Sequence, residues 1–303
     1  MVTKLIKSIH LARALSLQIC LLSLMFCVSC SSASVQSSAS NVPETDKTTR
    51  LSSSKSEPNR IDSILGKLNE HTQNLKTYQC QIEYRYVQPS VFDAQTLRKG
   101  VLYFQKNDKI SKLRINFQTL QQDEEPERKY SEQYIIVDGT TLPDTNGKYK
   151  GLWLVQLDYE LKKPKFIQIT YEQEPNKPVD VFDLVGQRLP MIGFTKTDKL
   201  KEQFDISISE KNTELIQLQL KVKPNSIYKD DYAQIDCSID EKLNLPVEIK
   251  AKSTEPEGES LENKDVYEIK FLKAQINKDI DKKVFDFQIP KDFDKPDIYP
   301  LDN

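Results

Sequence analysis

The segment after residue 77 alternates hydrophobic and polar residues in short runs, the period of a β-strand with one buried face. Turn-forming and charged residues separate the runs. They span residues 78–86, 101–104, 113–117, 134–137, 152–157, 166–171, 204–208, 216–222, 233–239, 245–249, 267–272 and 285–289. Because successive strands joined by short turns usually pair with each other, the pattern predicts an antiparallel meander of about eleven strands.

Two segments depart from this alternation. Residues 58–77 place Ile61, Ile64 and Leu68 at helical spacing, which predicts one amphipathic helix whose apolar face packs on the sheet. Residues 181–194 are apolar without a period of two, which predicts a short helical or looped insertion lying across the sheet. The chain is therefore predicted to be mainly β, with few helices.

A sheet of this width tends to curl, and two short covers are too small to fill its concave side. The remaining inner surface is either filled by the domain's own side chains or forms a cavity for acyl chains. The candidate walls of such a cavity are Ile82, Tyr84, Phe104, Ile115, Phe117, Trp153, Ile167 and Ile169. The sequence leaves open which strand face points inward, because a shift of one residue reverses it.

The N-terminus has the pattern of a secretory signal. Three basic residues precede a largely apolar run over residues 14–28 that is too short for a comfortable membrane span. The run ends at Cys30, which is predicted to be lipidated; ordinary cleavage near Ala33 is the alternative. Ser-rich residues then predict a disordered tether. The predicted organisation is a signal peptide at 1–30, the tether at 31–57, a folded domain at 58–293 and a C-terminal tail at 294–303.

Composition argues against several classes of function. The formal net charge is −2 and there is no basic stripe, so nucleic acid is not a predicted partner. His71 is the one histidine outside the signal region, and the sequence contains no Cys-x-x-Cys, His-Glu-x-x-His or Gly-x-Ser-x-Gly motif. We therefore predict neither an enzyme nor a metal or cofactor site. Whether Cys80 and Cys237 form a disulfide or remain buried thiols is left open.

Several motifs, taken in order, resemble the LolA/LolB family of lipoprotein carriers and receptors over residues 60–293. They are the leading helix, the segments at 100–106 and 112–115, the Val-Asp-Gly-Thr-Thr phrase at 137–141 with the Trp-Leu-Val at 153–155, the apolar segment at 182–185, and the ending at 284–290. The resemblance implies an incomplete antiparallel β-barrel with an N-terminal helix and a short helical lid.

The resemblance also implies a function. Members of this family carry or receive lipoprotein acyl chains in the periplasm, so acyl chains are the expected ligand. An inner-membrane transporter or an outer-membrane acceptor is an expected partner. Lys106 occupies the latch position, where carriers have an arginine; it keeps the charge but lacks the planar fork. A lipidated Cys30 would anchor the chain at the outer membrane. The implied lid residues are Phe182, Leu184, Met191 and Ile192.

Two other functions fit the same pattern. One is a regulatory domain that senses lipid or lipoprotein and reports to a membrane signalling partner. The other is a structural envelope lipoprotein whose own side chains fill the core.

Overall fold

The computed structural model describes residues 57–106, 111–143, 149–171, 181, 198–211 and 215–301, with the side chains of 57–59, 198, 210 and 211 excepted. Within these residues, twelve strands form one sheet. They are β1 (Thr77–Gln88), β2 (Ala94–Gln105), β3 (Lys112–Gln122), β4 (Arg128–Asp138), β5 (Leu152–Asp158), β6 (Lys163–Gln168), β7 (Phe204–Lys211), β8 (Leu215–Val222), β9 (Tyr232–Asp240), β10 (Leu245–Ser253), β11 (Val266–Ile276) and β12 (Asp297–Tyr299).

The strand order is β12-β6-β5-β4-β3-β2-β1-β11-β10-β9-β8-β7. The chain meanders from β1 out to β6, restarts at β7 and meanders back until β11 pairs with β1, where Tyr84 lies opposite Ile269. Neighbouring strands are antiparallel, except that β12 runs parallel to β6. The sheet is open, with β12 and β7 at its edges. The prediction of a mainly β, incomplete antiparallel barrel is thus confirmed, with twelve strands where the sequence indicated about eleven.

Helix α1 (Glu57–Gln73) packs its apolar stripe against β7 and β10. It ends four residues before the predicted end at Thr77, because the Asn277 side chain binds the backbone N–H groups that follow the helix. The Asn277 side-chain oxygen accepts hydrogen bonds from the backbone N–H groups of Lys76 (2.7 Å) and Thr77 (3.3 Å). A second helix, α2 (Asp198–Gln203), leads directly into β7.

Apolar residues cover both faces of part of the sheet, and we name the faces by what packs on them. The helix face carries α1 and the larger apolar cluster, which includes Leu152 and Leu154. The outer face carries a smaller cluster, which includes Trp153 and Val155. Neighbouring residues of β5 fall in different clusters because successive side chains of a strand point to opposite faces.

The predicted last strand, residues 285–289, is wrong. Lys282–Phe285 form a short 3-10 helix, and the following residues are irregular. Their carbonyls are satisfied by a side chain: Arg114 Nη1 donates to Val284 O at 2.7 Å and to Asp286 O at 2.9 Å. The alternating apolar residues of this segment pack across the outer-face cluster instead of joining the sheet.

The residues after 293 were predicted to be a tail, but they contain β12. Asp297, Ile298 and Tyr299 pair with β6. β12 therefore lies in the same sheet as the preceding strands. The predicted signal peptide and tether lie outside the described residues, apart from residue 57, which belongs to α1.

Candidate acyl-chain site

Seven of the eight predicted wall residues share the helix face. Four are buried in its main cluster, and three are partly buried and pack against it; in that order they are Ile82, Phe104, Ile115 and Phe117, then Tyr84, Ile167 and Ile169. The structure therefore shows on which face of the sheet these residues lie, which the sequence left open. The helix face is the only face on which these seven residues could line a common site.

The strand register makes these side chains neighbours. Leu102 lies opposite Ile115 across β2 and β3, and Ile115 lies opposite Tyr134 across β3 and β4. Farther along, Ile167 on β6 lies opposite Leu154 on β5. Because directly opposite residues have their Cβ atoms about 5 Å apart, the result is a continuous apolar surface from β1 to β6.

Trp153 is the exception, since it lies in the outer-face cluster. Its indole N–H donates to Lys150 O at 3.0 Å, and its ring lies 4.9 Å from that of Tyr149. Gly139 has room for no side chain here, because a Cβ would come within 2.6 Å of the indole nitrogen. Trp153 thus anchors the loop before β5 and does not line the helix face.

An aromatic row crosses the helix face. The ring centroid of Phe117 on β3 lies 6.3 Å from that of Tyr84 on β1 and 6.1 Å from that of Tyr134 on β4. The strand between β1 and β3 presents Gly100 at this level, opposite both Ile82 and Phe117. Because Gly100 has no side chain, the rings on either side can approach each other across β2.

A buried charged group borders this row. Glu132 on β4 is 2% exposed, and its carboxylate lies 3.2 Å from Arg98 Nη1 on β2. The Tyr134 hydroxyl and Gln156 Nε2 donate to its Oε1 atom at 2.8 and 2.6 Å. The Arg98 guanidinium also lies 5.8 Å from the ring of Tyr130. The helix face is thus apolar over most of β1 to β6 but ends in a polar cluster.

The electrostatics of the cluster follow from burial. Burial raises the pKa of Tyr134 well above its ordinary value, and the charge of Glu132 raises it further, so the phenol stays a hydrogen-bond donor. For Arg98, burial lowers the pKa but Glu132 more than offsets this, so the pKa is raised and the charge is kept. Arg98 Nε and Glu132 Oε2 are buried without a hydrogen-bond partner in the described part of the chain.

The predicted latch residue Lys106 contacts α1. Its ammonium donates to Gln73 O, the last residue of the helix, at 2.8 Å, and its backbone N–H donates to Lys76 O at 2.7 Å. A cation at the negative end of a helix dipole is favourable, although Lys106 is exposed to solvent. The predicted lid residues (Phe182, Leu184, Met191 and Ile192) and Cys30 lie outside the described residues.

Two further features complete the helix face. Cys80 and Cys237 are both buried and unpaired, and burial raises the pKa of each thiol to about 12. A groove of about 160 Å³ opens between α1 and the edge of β8 and β9. Its lining mixes apolar and polar side chains: Ile64, Lys67, Leu68, Ile216, Ile239, Glu241 and Asn244.

Comparison with known proteins returned no matching family model and no matching curated protein. Solved structures with a similar fold include a DUF1329 family protein from Desulfovibrio piger (8% identity, TM-score 0.38, 75% of this chain and 97% of that one). Another is a putative outer membrane lipoprotein-sorting protein domain from Vibrio parahaemolyticus (11%, 0.36, 74% and 96%). A third is MucB, whose complex with MucA is from Pseudomonas aeruginosa (9%, 0.38, 76% and 63%).

At these identities and TM-scores the likenesses concern the fold alone and carry no argument about ligand or partner. Separately, none of the described helices is both long and apolar enough to cross a membrane.

Proposed function

We propose that this chain binds lipoprotein acyl chains on the helix face of β1 to β6, as part of lipoprotein sorting across the bacterial periplasm. The observation that carries the proposal is that the described helices cover one half of the sheet, whereas the candidate wall residues lie on the other half. The described helices pack mainly against β7 and β10, whereas the seven candidate wall residues lie on β1, β2, β3 and β6 or directly after β6. Tyr84, Ile167 and Ile169 on that half are only partly buried.

Hydrocarbon is the ligand chemistry that such a surface favours. Burying apolar surface contributes roughly 25 cal/mol per Å², so a chain of about sixteen carbons gains several kcal/mol from a site of this kind. In this proposal, residues 181–194 act as the lid over the half of the sheet that α1 leaves, and the polar cluster around Arg98 lies at one end of the site. Cys30, when lipidated, would hold the chain at the outer membrane.

A photo-crosslinking experiment tests the proposal in cells that express the full chain. Cells are fed a palmitate analogue that carries a diazirine and is incorporated into lipoproteins, then irradiated. Peptides of this chain with lipid adducts are mapped by mass spectrometry. We expect adducts on the helix face of β1, β2, β3 and β6. The mass of each adduct separates a lipoprotein donor from a phospholipid donor, and a Cys30→Ser variant removes the chain's own predicted acyl group.

Two matched variants sharpen the test. Ile167→Asp places a charge on the helix face, and Val137→Asp places one on the outer face at a similarly half-buried position. We expect the first to reduce adducts about tenfold and the second to leave them unchanged. Adducts that are absent, that come only from phospholipid, or that respond equally to both variants would overturn the proposal.

A further inference from the structure

Exposed apolar side chains are concentrated in the turns of this sheet. Eight large hydrophobic residues are exposed in the described residues, and five of them lie in four turns. They are Val91 and Phe92 between β1 and β2, Leu161 between β5 and β6, Ile227 between β8 and β9, and Leu261 between β10 and β11. Turns are usually polar, so their placement calls for an explanation.

The strand register places all four turns at one end of the sheet. Val87, near the end of β1, pairs with both Gln95 and Val266, which brings the β1–β2 and β10–β11 turns together. Ser253 pairs with Tyr232, which adds the β8–β9 turn. On the other side, the β3–β4 turn adjoins the start of β2, and β5 ends beside the start of β4. We call the five turns at this end the acidic rim.

The turn that carries Phe92 is strained. Phe92 and Asp93 have φ angles of 53° and 55°, and Ala94 N donates to Val91 O at 3.0 Å. Within this five-residue connection, the two consecutive positive φ angles favour Asn and Gly, because a bulky side chain is disfavoured there. The Phe92 side chain is nevertheless fully exposed and contributes nothing to the core. A strained position that presents an aromatic ring to solvent points to a role in binding.

The same turns are strongly negative. Their residues, 89–93, 123–127, 159–162, 223–231 and 254–265, include thirteen Asp and Glu but only four Lys, whereas the whole chain has a net charge of −2. At least two of these lysines are already engaged. Lys162 pairs with Asp292 at 3.0 Å, and Lys264 donates to the carbonyls of Thr254 and Pro256. Two of the carboxylates pair with cations of the adjoining strands, Glu127 with Lys99 and Glu160 with Arg128, but the turns keep a clear excess of acidic over basic residues around the apolar side chains.

We propose that the acidic rim docks a protein partner whose surface carries basic and apolar side chains. Charge complementarity decides the kind of partner. A membrane rich in anionic lipid repels carboxylates, and a zwitterionic membrane offers them little attraction. A basic protein surface attracts the carboxylates, speeds encounter and covers the apolar rings. The surface is separate from the helix face and does not depend on the proposed acyl-chain site.

The probe for this surface is a fluorescent amphipathic peptide of Lys and Leu, about eighteen residues long, measured by anisotropy with the full chain. We expect saturable binding that weakens with salt, while a Glu and Leu peptide of the same length does not bind. Phe92→Gly should weaken binding about tenfold. Ile298→Ser, which removes an exposed apolar side chain on β12, should leave it unchanged.

Binding to lipid vesicles tests the alternative that the acidic rim contacts a membrane. If the chain binds phosphatidylcholine vesicles with or without phosphatidylglycerol, and Phe92→Gly abolishes that binding, the rim contacts membrane and the proposal is wrong. It is equally wrong if Phe92→Gly and Ile298→Ser affect peptide binding to the same extent. Because Phe92→Gly leaves the helix face intact, lipid adducts in that variant report on the proposed function independently.

Discussion

Arg98 Nη1 lies 3.2 Å from the Glu132 carboxylate on the same face of the sheet as the aromatic row of Tyr84, Phe117 and Tyr134. An ion pair inside an apolar surface is expensive to desolvate, and well-packed hydrophobic residues would often be at least as stable. Two of its polar atoms also lack hydrogen bonds among the described residues. The pair is therefore not expected to contribute much to stability compared with an apolar replacement of both side chains.

Removing one member of the pair should destabilise the fold more than removing both. Glu132→Leu leaves the Arg98 charge without its partner and should cost about 3 kcal/mol of unfolding free energy, whereas Arg98→Met with Glu132→Leu should recover most of the loss. Urea unfolding measures these free energies, provided that their dependence on urea concentration has the same slope in all variants. Since the Arg98 side chain is 29% exposed, water can solvate part of its charge. Equal costs for the single and the double variant would contradict the prediction.

Gly100 and Gly66 should respond oppositely to replacement by alanine. A Cβ on Gly100 would lie 2.0 Å from Asn116 O, a backbone atom of the adjacent strand, so Gly100→Ala must separate β2 from β3. We expect a loss of about 3 kcal/mol. Gly66 lies in α1 with nothing within 4 Å of a Cβ, so Gly66→Ala should stabilise the fold by roughly 1 kcal/mol. Thermal unfolding of both variants checks the pair; the same sign for both would refute it.

Phe92→Gly should stabilise the protein although it removes a large side chain. Glycine adopts the positive φ of this turn without steric cost, and the exposed ring contributes no buried area, so we expect a gain of roughly 1 kcal/mol. Leu161→Gly is the control. Leu161 is also exposed in a turn but is not among the residues with positive φ, so the same change should be neutral or slightly destabilising. Denaturant midpoints distinguish the two outcomes.

The sequence predicted most of this fold because alternation marks each strand with a buried face. It missed the first half of β2, where Thr96, Arg98 and Lys99 carry polar side chains. Arg98 lies on the helix face, and its pairing with Glu132, two strands away, helps to compensate its charge there. The alternation also grouped seven of the eight candidate wall residues on one face, although it left open which face that is. Trp153 was grouped with them because a single strand pattern does not distinguish two apolar faces.

The C-terminal segment shows a second limit. Residues 285–289 alternate as a strand does, yet the Arg114 guanidinium donates to the carbonyls of Val284 and Asp286 in and beside this segment. Nothing in the local sequence reveals a partner about 170 residues away. Conversely, β12 is only three residues long and lies between Pro296 and Pro300, so no periodic signal could identify it.

Stability should fall in strongly alkaline solution through the buried thiols. Burial raises the pKa of Cys237 to about 12, above the value near 8.5 of an unfolded thiol. Between these two values the folded state keeps the thiol proton while the unfolded state loses it. The contribution of the buried thiol to the free energy of unfolding is therefore fully present below about pH 8.5 and is lost as the pH rises toward 12. Cys237→Ala should be less sensitive to pH in this window. Urea unfolding at pH 8 and pH 10 measures how the free energy of unfolding changes with pH in each protein. The same change in both proteins would contradict the prediction.

Arg114 should hold residues 282–293 against the outer face. Its Nη1 atom donates to two carbonyls of that segment, while Nη2 donates to Gln133 at 2.7 Å and Nε to Asn116 at 2.8 Å, so the guanidinium joins the segment to β3 and β4. Arg114→Ala removes these bonds and leaves the segment attached by apolar contacts and by the exposed ion pair between Lys162 and Asp292. We expect amide hydrogen exchange over 282–293 to rise at least tenfold, with cleavage by trypsin after Lys282 and Lys283.

The matched control for Arg114 is Arg85→Ala. Arg85 lies 3.7 Å from Glu268 with its side chain 40% exposed, so its loss removes a surface ion pair worth little. If the two variants show the same exchange over 282–293, the other contacts of the segment hold it without Arg114. If Arg114→Ala alone releases it, one guanidinium substitutes for the strand pairing that the sequence pattern suggested, and the outer-face cluster should then become accessible to solvent in that variant only.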